Sequence, residues 1–239
     1  MLQYLQKQRK TVTIGILGAM REEITPLLAK LSNIEEINYA GNTYYKAELS
    51  NHNLVIAYSK IGKVNSAITA SVLCEHFKIQ KLIFSGVAGG IDEDLNIGDL
   101  VYATKLLQHD LDLSAFGHPY GFVPESKVFF ETDSKLCEIA IKVAKNNNID
   151  LKPAIIASGD QFIASNEKKN WIKDTFKANA IEMEGASVAN VCSHFDLPLF
   201  VLRAISDSAN DSADMDFDKF LETSAKVSAE FVINMIKEI

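Results

Sequence analysis

The sequence predicts an α/β fold, and three observations carry that prediction. Runs that are almost wholly apolar and rich in β-branched residues, at 12–17, 81–85 and 199–205, read as strands covered on both faces. Amphipathic stretches long enough for helices lie between them, the alternation expected of a sheet layered with helices. The length of 239 residues fits one such domain over 11–239, after a polar arm at 1–10, better than two small units; no internal repeat or Pro/Ser-rich linker divides it.

The elements follow in order. Strand 12–17 leads into a helix at 22–31, with Ile24, Leu27, Leu28 and Leu31 on one face and Pro26 expected in its first turn, where a missing N–H costs little. Runs at 42–49 and 54–59, separated by Ser50-Asn51-His52-Asn53, obey hairpin grammar. Lys60-Ile61-Gly62-Lys63 turns the chain into a helix at 64–77; with one glycine and no G-K-[ST] element, its lysines make a weak case for a phosphate loop. Strand 81–85 is expected to end in the turn Gly86-Val87-Ala88-Gly89-Gly90. Its spacing is not G-x-G-x-x-G and no apolar helix follows, so a dinucleotide site is rejected, while close approach of its N–H groups to a small ligand stays open.

Strand 100–107 precedes a long loop at 108–127. His109, Asp110 and Asp112 resemble metal ligands there, but no second cluster completes a coordination set. The loop's Phe116, Pro119, Tyr120, Phe122 and Pro124 fit either a loop packed on its own core or an oligomer interface. Helix 133–147 and strand 152–157 deliver Ser158-Gly159-Asp160-Gln161-Phe162-Ile163 to a strand's carboxyl end. A helix at 167–176, a short apolar strand ending in the two carboxylates of Glu182-Met183-Glu184, a helix at 187–195, strand 199–205, an acidic loop at 210–218 with Phe217 turned inward, and a helix at 220–237 complete the chain.

Composition narrows the function. A formal charge of −7, with one short basic cluster at Lys7-Gln8-Arg9-Lys10, argues against a nucleic-acid partner. That cluster and the apolar run 12–20 imitate a signal peptide, but Arg21-Glu22-Glu23 stands where small cleavage-site residues are needed. No stretch approaches the roughly 20 apolar residues of a membrane span. Cys74, Cys137 and Cys192 are widely spaced without a C-x-x-C pair, which fits a reducing cytoplasm and signals neither disulfides nor zinc.

Chemistry gathers where strands end. Glu182 and Glu184 flank Met183 just after an apolar strand, and alternation would aim both to one side at the edge where open α/β sheets bind ligands. Glu23 and Asp207 stand in equivalent places after other strands. Each acid also has a structural explanation: Glu182 or Glu184 as a helix cap, Glu23 beside a helix N-terminus, Asp207 in an Asx turn. Phe162 is a core residue or a ring that stacks on a purine. Acids at three equivalent strand ends suggest a site.

Six motifs then occur in order: Gly18-Ala19-Met20-x-Glu22-Glu23, Ile61-Gly62-Lys63-Val64, Gly86-Val87-Ala88-Gly89, Ser158-Gly159-Asp160-x-Phe162, Glu182-Met183-Glu184 and Arg203-Ala204-Ile205-Ser206-Asp207. Together they resemble the 5'-methylthioadenosine/S-adenosylhomocysteine nucleosidases of the nucleoside phosphorylase family, over nearly the whole chain after the first ten residues. The resemblance implies a three-layer α/β/α fold around a mixed, partly barrel-like sheet, and a homodimer with active sites close to the subunit interface. It also implies hydrolysis of 5'-substituted adenosines to adenine, with a place in methionine salvage and no metal or organic cofactor. By the same resemblance Asp207 protonates purine N7, Glu23 activates the attacking water and Glu184 holds the ribose hydroxyls above Met183. Phe162 stacks on the base and Ile163 meets its edge through the backbone. Ser206, Arg203 and Glu182 support the acid and the ribose contacts; Met20, Ile61 and Phe217 wall the sugar and its 5'-substituent; Phe116 and Pro124 come from the neighbouring subunit.

The chemistry suits these residues independently. Cleaving a ribosyl C–N bond builds positive charge on the sugar and negative charge on the base, so an acid is needed at the purine and anionic groups near the ribose. A free Asp titrates near ~3.9, so Asp207 needs burial or a proton-bearing neighbour to donate at neutral pH. Two departures matter. Val87 replaces a Ser or Thr common in the family, removing one polar contact, and Phe84 lies near where phosphorylases carry a phosphate-binding arginine, which favours water as the acceptor. The loop from Asp112 to Ser126 is similar to that of members that also cleave 6-amino-6-deoxyfutalosine on a menaquinone route. The competing readings are a phosphorylase, and a non-catalytic nucleoside-binding domain that would need neither Glu23 nor Asp207.

Overall fold

The computed structural model describes residues 11–209 and 213–239; the expected arm at 1–10 and the stretch 210–212 of the expected acidic loop lie outside the described residues. Strand β1 (Thr13–Gly18) lies between β4 (His52–Tyr58) and β5 (Lys81–Gly90), parallel to both, which is why its run is apolar on both faces. Strand β10 (Leu199–Asp207) is buried at every position, parallel to β5 on one side and antiparallel to β6 (Leu100–Gln108) on the other. β6 runs parallel to β8 (Leu151–Ser158), and β8 parallel to β9 (Ala180–Glu182). β9 then returns antiparallel to β5 through Ile181 opposite Gly89 and Ala180 opposite Gly90. Strands β5, β10, β6, β8 and β9 therefore close into a barrel, from which β1, β4, β3 (Asn42–Leu49) and β2 (Glu35–Tyr39) extend as an open wing.

Helices cover both sides of this sheet. Helices α1 (Arg21–Leu28), α3 (Ser134–Asn146) and α6 (Ala213–Glu238) bury Ile24, Leu27, Leu136, Val143, Phe231 and Ile236 in one core. Helices α2 (Lys63–Glu75) and α5 (Gly185–His194) bury Ala70, Leu73, Ala186 and Val188 in another, and α4 (Asn166–Phe176) packs Ile172 and Phe176 against the outer side of the barrel. The fold is thus three-layer α/β/α with a mixed, partly barrel-like sheet.

Several local expectations are corrected. The glycine-rich segment after Ser85 is not a turn: β5 continues to Gly90 because its backbone pairs with β10 and β9. The acidic segment before Phe220 is helical from Ala213. Pro26 is the sixth residue of α1 rather than in its first turn, and the helix stops two residues later. Strands β2 and β7 (Phe130–Glu131) had no clear signature; β2 is largely exposed, and its Glu35 lies opposite Lys46 of β3.

Candidate active site

The acid nearest the start of the chain is held by the helix it begins. Glu23 folds back on the N-terminus of α1, where Oε2 accepts the N–H groups of Ala19 at 2.6 Å and Met20 at 3.0 Å. Oε1 accepts the Val87 N–H of β5 at 3.0 Å. The helix-terminus explanation therefore holds, but the carboxyl is also fastened across to a neighbouring strand. Burial raises its pKa, opposed by the charge of Arg203 and by these three N–H groups.

Glu182 and Glu184 divide the roles that the sequence left open. Glu182 caps α5, accepting the Gly185 N–H at 2.8 Å and the Glu184 N–H at 3.2 Å, and it also accepts the Ser158 hydroxyl. Its charge is met by Arg203 Nη2 at 2.8 Å, in an ion pair with side chains 1% and 3% exposed. Arg203 also donates to the carbonyls of Phe84 and Leu202 and lies over the Phe84 ring at 4.1 Å. Glu184 stands at the N-cap position of α5 without capping it; Oε1 accepts the Gly62 N–H at 2.8 Å instead. Because β9 ends at Glu182, Glu184 reaches the cavity from the strand-to-helix turn, not by strand alternation. Burial and then the neighbouring charge of Glu182 hold the Glu184 carboxyl well above the ordinary carboxylate range.

Asp207 ends β10 and is buried. The Ser206 hydroxyl donates to its Oδ2 at 2.9 Å, and the Ala209 N–H donates to Oδ1 at 2.8 Å, the Asx-type turn that the sequence allowed. Phe162 is 49% exposed and meets Phe217 of α6 edge to face, with ring centroids 5.9 Å apart. Phe217 is indeed turned inward.

These residues meet in a cavity of about 330 Å³. Met20, Glu23, Ile61, Val87, Phe162, Ile163, Glu182, Met183, Glu184, Ser206, Asp207 and Phe217 line it. Arg203 stands behind Glu182 rather than on the wall, while Phe116 and Pro124 lie outside it on the exposed loop. Sequence reasoning missed Ala19, Gln161, Ile181 and Ala209, which also line the cavity, as do Ala88 and Gly89 of the segment it left open to a small ligand. Small residues inside a buried strand were the available signal. A Cβ on Gly86 would lie 2.6 Å from Glu23 Oε1, and one on Gly89 would lie 2.7 Å from Asp207 Oδ1, so β5 is bare where two acids need room. No group of three or more His, Cys, Asp or Glu suited to a metal occurs among the described residues. Asp110 instead pairs with Lys63, and His109 is buried against Gly159.

Residues 13–237 match the phosphorylase superfamily. The chain belongs to that superfamily. An aminodeoxyfutalosine nucleosidase of Campylobacter jejuni is 56% identical over 226 residues, which cover 95% of this chain and 99% of the relative. A 5'-methylthioadenosine/S-adenosylhomocysteine nucleosidase of Oceanobacillus iheyensis is 38% identical over 229 residues, 95% of this chain and 100% of that one. Among solved structures of the superfamily, a mutant Helicobacter pylori nucleosidase with 5'-methylthioadenosine in its active site superposes with a TM-score of 0.95 at 52% identity, covering 96% of this chain and 100% of that chain. Within the superfamily the chain falls with the nucleosidases, hydrolases of N-glycosyl compounds.

Proposed function

We propose that the chain hydrolyses the N-glycosidic bond of 5'-substituted adenosines, among them 5'-methylthioadenosine, S-adenosylhomocysteine, 5'-deoxyadenosine and 6-amino-6-deoxyfutalosine, releasing adenine. The observation that carries this reading is the convergence of Glu23, Glu184 and Asp207, from three separate strand ends, on one largely apolar cavity. Asp207 gives a proton to N7 of the base as the ribosyl C–N bond breaks, and Ser206 and the Ala209 N–H fix its orientation. Glu23 takes a proton from the water that forms the new C–O bond at the same carbon. Glu184 accepts from the ribose hydroxyls; burial and Glu182 favour its neutral form, and the positive charge growing on the sugar favours the carboxylate that steadies it. Phe162 stacks on the base, the backbone of Ile163 meets its edge, and Met20, Ile61, Met183 and Phe217 enclose the sugar.

Water rather than phosphate is the acceptor. Among the described residues no arginine lines the cavity; Arg203, behind its wall, is buried and committed to Glu182 and two carbonyls, and Phe84 is fully buried beneath it. Activity on the futalosine substrate, and hence a menaquinone route beside methionine salvage, is supported by the activity of the 56% identical relative and by the similarity of the loop from Asp112 to Ser126. In the proposed homodimer that loop carries Phe116 and Pro124 to the partner's cavity.

The test is adenine release from 5'-methylthioadenosine, S-adenosylhomocysteine and 6-amino-6-deoxyfutalosine in phosphate-free buffer. Release without phosphate is expected, and Asp207→Asn should slow it by about 10²- to 10⁴-fold without unfolding the protein. Unchanged turnover in that variant rules out Asp207 as the proton donor, and release only with added phosphate turns the assignment to a phosphorylase.

A further inference from the structure

The cavity's two sides are joined outside it by a chain of polar contacts that the proposed chemistry does not use. The turn after β4 carries Ile61 on the cavity wall, and the segment after β8 carries Phe162. Asp160, two residues before Phe162, accepts the Lys63 N–H through Oδ1 at 2.7 Å. Its own N–H donates to Asp110 Oδ2 at 2.9 Å, and the other oxygen of Asp110 receives Lys63 Nζ at 2.6 Å. One residue earlier, the Gly62 N–H is the donor to Glu184. Gly62 has φ +98°, a conformation that favours glycine, and a Cβ there would come within 3.0 Å of Asp160 Oδ1. A change at Phe162 thus has a short bonded route to Glu184.

We propose that Asp160, Lys63 and Asp110 are positioning residues, a latch through which occupation of the base side of the cavity fixes the Lys60–Lys63 turn and, through Gly62, the carboxylate on the sugar side. The inference rests on the nucleosidase reading. An isolated exposed ion pair would be worth little. Here, however, Lys63 and Asp110 are only 17% and 15% exposed, and each contact is shared among two loops and a strand end. Burial alone would raise the Asp110 carboxyl, yet Lys63 and the Asp160 N–H outweigh it and leave it below the ordinary Asp value. The three groups therefore form a charged, hydrogen-bonded unit.

The experiment measures linkage between the two products. Adenine and 5-methylthioribose are titrated alone and together on the wild type, Asp160→Ala and Lys63→Met, with melting temperatures and kcat and KM for 5'-methylthioadenosine taken alongside. In the wild type, bound adenine should tighten the sugar by about 5-fold or more. Both variants, attacking the latch from opposite ends, should remain folded, bring that factor close to one, and raise KM more than they lower kcat. A wild-type factor of one, or an unchanged factor in folded variants, overturns the latch. If the wild type releases no adenine, the nucleosidase reading fails and the latch falls with it; an active wild type with an unaltered factor in the variants removes the latch alone.

Discussion

His109 shows how far one residue departs from what its type suggests. Beside Asp110 and Asp112 it resembled a metal ligand, but its ring packs under Gly159, where a Cβ would sit 2.4 Å from Nε2. Neither ring nitrogen has a hydrogen-bond partner among the described residues. Burial lowers its pKa to about 4, with the Asp110 charge opposing. The unfolded chain takes up this proton near pH 6.5, so its contribution to stability is present above that value and is lost as pH falls toward 4, by about 3 kcal/mol in all. Denaturant titrations of wild type and His109→Phe across pH 4 to 7 should diverge by that amount; parallel curves would show that His109 does not titrate as argued. Such burial could not be read from the sequence, since a histidine at a strand end carries no sign of what covers it. The acids were legible because each follows a strongly apolar strand. The sharing of work between Glu182 and Glu184 was not, because it depends on Arg203 and Gly62, distant in sequence.

Strand β5 makes the same point for an element. Its first half is a plain apolar strand, whereas 86–90 has the composition of a turn, and only pairing to β10 and β9 keeps it extended. The absent side chains at Gly86 and Gly89 leave the space that Glu23 and Asp207 occupy. Gly86→Ala and Gly89→Ala should each displace a carboxylate rather than break the strand, because the end of a side chain yields before paired backbone does. A misplacement of about 1 Å costs on the order of 10²-fold in rate. Steady-state rates together with thermal melts would reveal this, and wild-type turnover in either variant would refute it. Helices α3 and α4 were plainer: Asp133 and Ser165 cap them through Leu136 and Lys168, the local chemistry their sequences advertise. The hairpin edge β2 and the two-residue β7 were hidden because exposed or very short strands lack alternation.

For the whole molecule, the layered architecture was legible from alternating strands and helices, while closure of five strands into a barrel was implied only by family resemblance. Exposed apolar groups mark where a second copy would sit in the proposed homodimer. Val64 and Ile68, one turn apart on α2, are 69% and 52% exposed, and Phe116 is 80% exposed. In the rest of the long loop His118 stacks on Phe122, while Tyr120 meets Trp171 of α4 edge-on. Sedimentation should find the wild type dimeric and Val64→Glu/Ile68→Glu largely monomeric, with adenine release reduced at least tenfold as Phe116 and Pro124 leave the partner's cavity. A fully active monomeric wild type would end the dimer proposal. Among the described residues no helix is long and apolar enough to cross a membrane.

Strand β10 lies between β5 and β6, although both precede it by about a hundred residues in the chain. During synthesis, the native place between β5 and β6 therefore has no strand to fill it until the segment ending at Asp207 has been made. The last strand to be made both seals the barrel and brings the proposed proton donor, so a nascent chain cannot acquire chemical competence before its fold is closed.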